Sequence, residues 1–162
     1  MKNKYKSFKE FERDFDNAID DILDDLSKEL GDVADETIEI IKKRTRAGYG
    51  VDDNHGSKSK LDPLSPEYKK QRKKMKLYSK TRWNKSNLTK TGSMLDSLES
   101  KVKDLSFTIS PKGRDNGGVK NTDKTRWQEE KGRTYLRVSR IEINRITKLI
   151  QKKLTKIIDK LF

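Results

Sequence analysis

Two amphipathic stripes, one at each end of the chain, decide most of what it can fold into. From Phe8, side chains able to face a core recur at three- and four-residue steps, with one longer gap. The series runs through Phe11, Phe15, Ala18, Ile22, Leu26, Val33, Thr37 and Ile41. Ile19, Leu23, Leu30, Ile38 and Ile40 widen the stripe, and acids fill the opposite face. That period belongs to a helix, and it predicts one over 7–45. Ser7 with Glu10 three positions on has the form of a capping box. Gly31 is the place for a kink or a break, with Asp32 capping a second segment and Asp35 and Glu36 in its first turn. The second stripe is Ile143, Ile146, Ile150, Leu154, Ile157 and Leu161, and it predicts a helix over 139–162. Its lysines face water or an acidic partner, and the first helix is such a partner.

The chain between the stripes is polar. Residues 46–90 read as a basic arm. Within it, residues 46–64 carry glycines, Asp52-Asp53-Asn54 and Ser57-Lys58-Ser59-Lys60, with little to pack, and are expected to be a loop ordered by neighbouring subunits. Removing this loop is expected to spare the monomer fold and impair assembly. Ser65-Pro66-Glu67 then starts a short helix, predicted over 66–77. Residues 91–138 read as a short helix and a small sheet. Met94, Leu95 and Leu98 share a helix face, and Lys101 to Ser110 is a strand stopped by Pro111. Gly113, Asn116-Gly117 and Gly118 supply turn residues. A second strand is expected around Val119, a short helix or strand over Lys124 to Glu130, and another strand from Arg133 to Val138. The order reads as one α+β domain, 1–162. Long N-terminal and C-terminal amphipathic helices pack on a small antiparallel sheet, with a long extended arm.

Apolar residues make up 30% of the chain and charged ones 40%. Compact domains carry roughly 45–50% apolar, glycine included, and about 25% charged. A modest core is available, and part of the chain is expected to be ordered by partners. There is no cysteine, so neither disulfides nor thiolate chemistry arise. No apolar run approaches the ~20 residues of a membrane span. The basic start is followed by no apolar stretch, so no signal peptide is expected. The net charge of +13 is uneven. Residues 10–39 hold thirteen acids against Arg13 and Lys28, whereas 40–90 hold sixteen cations against four acids. Opposite blocks on one chain suit docking within a molecule or between copies, or two solvated faces.

No catalytic site is legible, and no cofactor or metal is expected. His55 is the only histidine and lies in a polar loop. Ser65 and Ser97 have no local histidine base. Asp20 with Asp24, and Asp21 with Asp25, share helix faces that suit a solvated surface better than a cation. The basic middle carries the competing signal. Lys69, Lys70, Arg72, Lys73, Lys74, Lys80 and Arg82 are interleaved with Tyr68, Tyr78 and Trp83. Cations among aromatics suit phosphate contact and base stacking, or an acidic protein neighbour. A basic nucleic-acid-binding accessory or regulatory protein is therefore the alternative function.

Three stretches carry a resemblance. Leu61-Asp62-Pro63-Leu64-Ser65-Pro66-Glu67-Tyr68 is similar to a W-x-P-L-S-x-x-Y segment followed by lysine-rich chain. Leu88-Thr89-Lys90-Thr91-Gly92-Ser93-Met94-Leu95-Asp96-Ser97-Leu98 is similar to L-x-x-T-G-x-L-x-x-S-I. The run from Trp127-Gln128-Glu129-Glu130 through Gly132, Arg133, Tyr135 and Leu136 is similar to A-x-x-H/Q-E-x-G followed by R-P-F-L. In this order the three resemble the virion-morphogenesis, tail-completion family of tailed bacteriophages. Leu61 replaces an aromatic, Trp127 a small or tyrosyl residue, and Thr134 a proline. The resemblance implies a virion structural protein, made in the bacterial host cytoplasm. It implies a homo-oligomeric neck ring of six or twelve copies, between portal or adaptor and tail proteins, with contact to genomic DNA in reach and no membrane. The residues it marks for assembly are Leu61, Pro63, Leu64, Ser65, Tyr68, Leu88, Thr91, Gly92, Leu95, Leu98, Trp127, Gln128, Glu130, Gly132, Tyr135 and Leu136. Physically, Thr91-Gly92 would allow tight entry into a short helix, and Trp127 would be an interface anchor.

Overall fold

The structure, a computed structural model, describes residues 7–52, 56–75, 83–84, 86, 88 and 92–161. Its described part is a mixed helix-and-sheet fold with five helices and two separate two-stranded antiparallel sheets. The expected α+β class agrees with it.

The first stripe forms helix α1, Phe8–Arg46, about 58 Å long. Ser7 caps it, its hydroxyl oxygen accepting the Glu10 N–H at 3.2 Å. The helix passes through Gly31 unbroken. A glycine costs about 1 kcal/mol in a helix, and the neighbouring Val33 and Ala34 are buried on its packed side. Asp32 therefore caps nothing. Its carboxylate accepts from Lys153 of the last helix at 2.8 Å.

Residues 46–64 are not the unstructured loop that their composition suggested. Strand β1 (Tyr49–Val51) pairs with β2 (Lys58–Lys60), and Val51, Leu61 and Leu64 are buried. The Val51 N–H donates to the Thr134 carbonyl at 2.9 Å. Gly50 is pressed on that same carbonyl, whose oxygen lies 2.5 Å from where a Cβ would be. A segment wedged this way belongs to the monomer, so deleting it would damage the fold. Residues 53–55, including His55, lie outside the described residues.

Helix α2, Pro66–Lys74, starts where expected, with Ser65 accepting the Tyr68 N–H at 3.2 Å. It ends earlier than 77, because Met75 is already extended. The short helix α3, Ser93–Asp96, follows Gly92, whose φ of +78° only glycine adopts freely. Leu98 does not extend that helix but opens β3, Leu98–Lys103. The single strand expected over 101–110 is the hairpin of β3 with β4, Ser106–Pro111. Asp104 and Leu105 form the turn, both at positive φ as a two-residue hairpin requires. Cross-strand neighbours Val102 and Phe107, and Ser100 and Ile109, lie on the face turned to α1. Ser100 donates to Asp35 of α1 at 2.9 Å.

Around Val119 there is only an isolated bridge, Arg114 with Lys120. The Asp115 carboxylate organises this turn instead, accepting from the Gly117 and Val119 N–H groups at 3.0 and 2.9 Å. Residues 121–130 are helical (α4, Asn121–Glu130). The strand expected over 133–138 is absent, although Tyr135 and Leu136 do turn to the core. The carbonyls of Tyr135 and Arg137 are taken by the Arg44 guanidinium rather than by a ladder. Helix α5, Arg140–Leu161, closes the fold and runs antiparallel to α1. Leu26, Leu30 and Val33 of α1 meet Ile150, Leu154 and Ile157 of α5 there, and Lys153 bridges Glu29 and Asp32 at 2.5 and 2.8 Å. The main core is Ile38 and Ile41 against Met94, Leu95, Leu98 and Tyr135.

Candidate functional site

The three motif segments lie far apart in sequence, and the fold brings them to one cleft of about 380 Å³. The first contributes Leu64 and Tyr68, with Arg72 from the basic run just after it, and the second Leu88, Ser93 and Met94. The third contributes Trp127, Gln128 and Arg133 from the end of α4 and the turn after it. The Lys124–Asp115 ion pair forms part of the wall. Its hydrogen bond and the Val119 N–H hold the Asp115 carboxyl below its ordinary range.

The cleft is lined by apolar Leu64, Leu88 and Met94 together with Arg72, Arg133 and the Lys124–Asp115 pair. Arg72 was expected to be an exposed contact, but it is only 2% exposed. It shares a helix face with Tyr68, whose ring centroid is 5.9 Å from the guanidinium carbon. Burial lowers the Arg72 pKa, yet an arginine keeps its charge at any ordinary pH. Arg133 reaches the Gln128 side-chain oxygen at 3.3 Å. Trp127 stands at the rim, 44% exposed. Cations and aromatics converging on a concave wall suit an acidic, partly apolar partner.

The other marked residues divide by depth. Leu61, Leu64, Leu95, Leu98 and Tyr135 are buried, so they can act on a partner only by shaping the surface above them. Tyr135 is fully enclosed, its hydroxyl 2.6 Å from that of Thr125, and burial pushes its phenol up to about 12. Leu136 and Leu88 pack half-buried on the core. Ser65 is a helix cap, Pro63 is exposed, and Gly92 and Gly132 hold positive φ. Glu130 is exposed, 3.7 Å from Arg126. Thr91 lies outside the described residues. Of the basic candidates, Lys70, Lys73 and Lys74 are exposed and Lys69 is half-buried. Lys80 and Arg82 lie outside the described residues.

A second surface was not singled out from the sequence. The first half of α1 keeps its apolar stripe in the open: Phe8, Phe11, Phe15, Ile19 and Leu23 are all exposed, Phe15 by 55%. Phe11 and Phe15 stack at a centroid distance of 6.0 Å. The stripe itself was legible. What marks it as open is the exposure of its side chains, which the sequence does not show.

Among the described residues no cluster of three or more potential metal ligands occurs, and no helix is long and apolar enough to cross a membrane. Compared with protein-family models, curated proteins and solved structures, the chain matches none.

Proposed function

We propose that this chain is a structural subunit of a tailed-bacteriophage particle. It forms a closed neck or tail-completion ring between the portal-side connector and the tail. The observation that carries this reading is the meeting of the three motif segments. Leu64 and Tyr68, Leu88, and Trp127 with Gln128 line one cleft, so each of the three segments that resemble the family contributes to a single site. The exposed apolar half of α1 adds to it, because so large an uncovered stripe on one helix suits an assembly contact. Six or twelve copies are expected by analogy, and a subunit with two unlike surfaces forms such a ring where the rotation between copies closes. The ring's two faces would meet portal or adaptor proteins and tail proteins. Peptide mass spectrometry and immunogold imaging of purified particles test the reading: the chain should be found at the neck, and its absence from intact particles ends the proposal.

One observation favours a second reading, a nucleic-acid-binding accessory. Lys70, Lys73 and Lys74 are exposed on α2, and Lys73 reaches over the exposed Trp83 ring at 5.7 Å from its centroid. A salt-titrated DNA-binding assay decides it: affinity that falls steeply with salt supports it, and no affinity at low salt removes it.

A further inference from the structure

We infer that the acidic, phenylalanine-bearing half of α1 docks on the basic cleft between α2 and α4 of a second copy of this chain. The inference rests on the assembly reading above and names its contact.

The donor surface is defined by exposure. Lys153 of α5 pairs with Glu29 and Asp32, and the α1–α5 seam there is lined by Leu26, Leu30 and Val33. Toward the start of α1 the large apolar side chains are exposed, Phe8 by 78% and Phe15 by 55%. Phe8, Phe11, Phe15 and Ile19 continue the seam that α5 covers further down. Residues 8–25 hold eight carboxylates against Lys9 and Arg13, and acids flank the stripe on both sides.

That charge decides the partner. Two such stripes pairing with each other would set carboxylates against carboxylates, which disfavours a symmetric contact. The stripe calls for an apolar surface bordered by cations. The cleft approaches that composition: the exposed Trp127 with Tyr68 and Leu64 supply its apolar lining, and Arg133 a cation, while Arg72 is buried beneath and Lys124 is already paired with Asp115. Beside it lie the exposed Lys70, Lys73 and Lys74, with Met75 and Trp83 also exposed. Its volume of about 380 Å³ leaves room for a phenyl ring.

The contact cannot close within one molecule. Met94 lines the cleft and packs in the same core cluster as Ile38 of α1. Phe11 stands twenty-seven residues before Ile38 on one unbroken helix, about 40 Å away along its axis. Donor and acceptor therefore lie at opposite ends of the molecule and must join different copies. A contact of this head-to-tail kind closes into a ring if its rotation allows.

Sedimentation velocity on the purified full chain tests this with two variants that alter only exposed side chains. Phe11→Ser/Phe15→Ser removes the donor, and Lys73→Glu/Lys74→Glu reverses charge beside the acceptor; circular dichroism checks that both remain folded. The chain itself should form species larger than a dimer that dissociate as salt rises. Each variant alone should be a monomer. A mixture of the two should stop at the dimer, because one intact donor and one intact acceptor remain. A wild-type chain that stays monomeric, a donor variant that assembles normally, an acceptor variant that assembles normally, or a mixture without dimer would each overturn the assignment. The neck role is read separately: a chain that assembles this way but is missing from purified particles retains the contact and loses that role.

Discussion

Arg44 and Glu142, ninety-eight positions apart, form an ion pair in which the guanidinium is almost fully buried. The same guanidinium donates to the Tyr135 carbonyl and, at 2.8 Å, to that of Arg137. Glu142 in turn accepts the Ser139 N–H at 2.8 Å, at the start of α5. One cation thus ties the end of α1, the 133–138 segment and the beginning of α5. Burial pulls the Arg44 pKa down, and Glu142 opposes that pull. Removing one partner of a buried pair strands the other, at a cost of about 3–5 kcal/mol. Arg44→Ala should lower stability by that amount in urea denaturation, and Glu142→Gln by less, since the amide oxygen can still accept. An unchanged midpoint in Arg44→Ala would show that the carbonyls find other donors.

The long elements were legible because their evidence is periodic. The stripes of 8–41 and 143–161 each repeat the helical spacing often enough to outweigh any local signal, Gly31 included. Ser65-Pro66 placed the start of α2 because capping is a local matter. The 104–105 turn carries no signal in the sequence because Asp-Leu lacks the glycine such a turn usually has. The 133–138 segment looks like a strand in sequence because its apolar residues do face the core, while two of its carbonyls are claimed by a residue about ninety positions away. In the cleft, Arg72 was indistinguishable from its lysine neighbours by composition. Its spacing of four from Tyr68, a residue the motif already marked, was the available sign.

Gly31 gives a direct test of the unbroken helix. The nearest atom to a Cβ built there is Val102 Cγ2 at 4.0 Å, an ordinary contact. Gly31→Ala should therefore raise stability by about 0.5–1 kcal/mol through helix propensity. Thermal unfolding followed by circular dichroism reads it, and a fall in midpoint would mean that the helix needs a bend at this place.

The 49–61 hairpin should prove part of the folding unit. Leu61 is buried, and truncating a buried leucine costs about 2–5 kcal/mol. Gly50→Ala should destabilise too, by about 1–3 kcal/mol, since its methyl would collide with the Thr134 carbonyl. Both losses should appear in the purified monomer by urea denaturation. Full monomer stability in Leu61→Ala would return the segment to the status of a detachable arm.

Acid should weaken the fold through two carboxylates on different elements. The Lys153 hydrogen bond and charge hold the Asp32 carboxyl below its ordinary value, and the Lys124 hydrogen bond with the Val119 N–H does the same for Asp115. A carboxyl depressed in the folded state binds protons more readily when unfolded. Its contribution is complete above the unfolded value, about pH 4, and is lost as pH falls through the lower folded value. Asp115 is 18% exposed in its side chain and Asp32 57%, so water screens the Asp32 pair more. Melting temperatures measured from neutral pH down through the carboxylate range should therefore fall for the native chain. Asp115→Asn should flatten that fall more than Asp32→Asn, and should melt lower at neutral pH. Equal acid limbs in all three proteins would show that neither carboxyl is held down, and that the two lysine contacts are no stronger than other surface pairs.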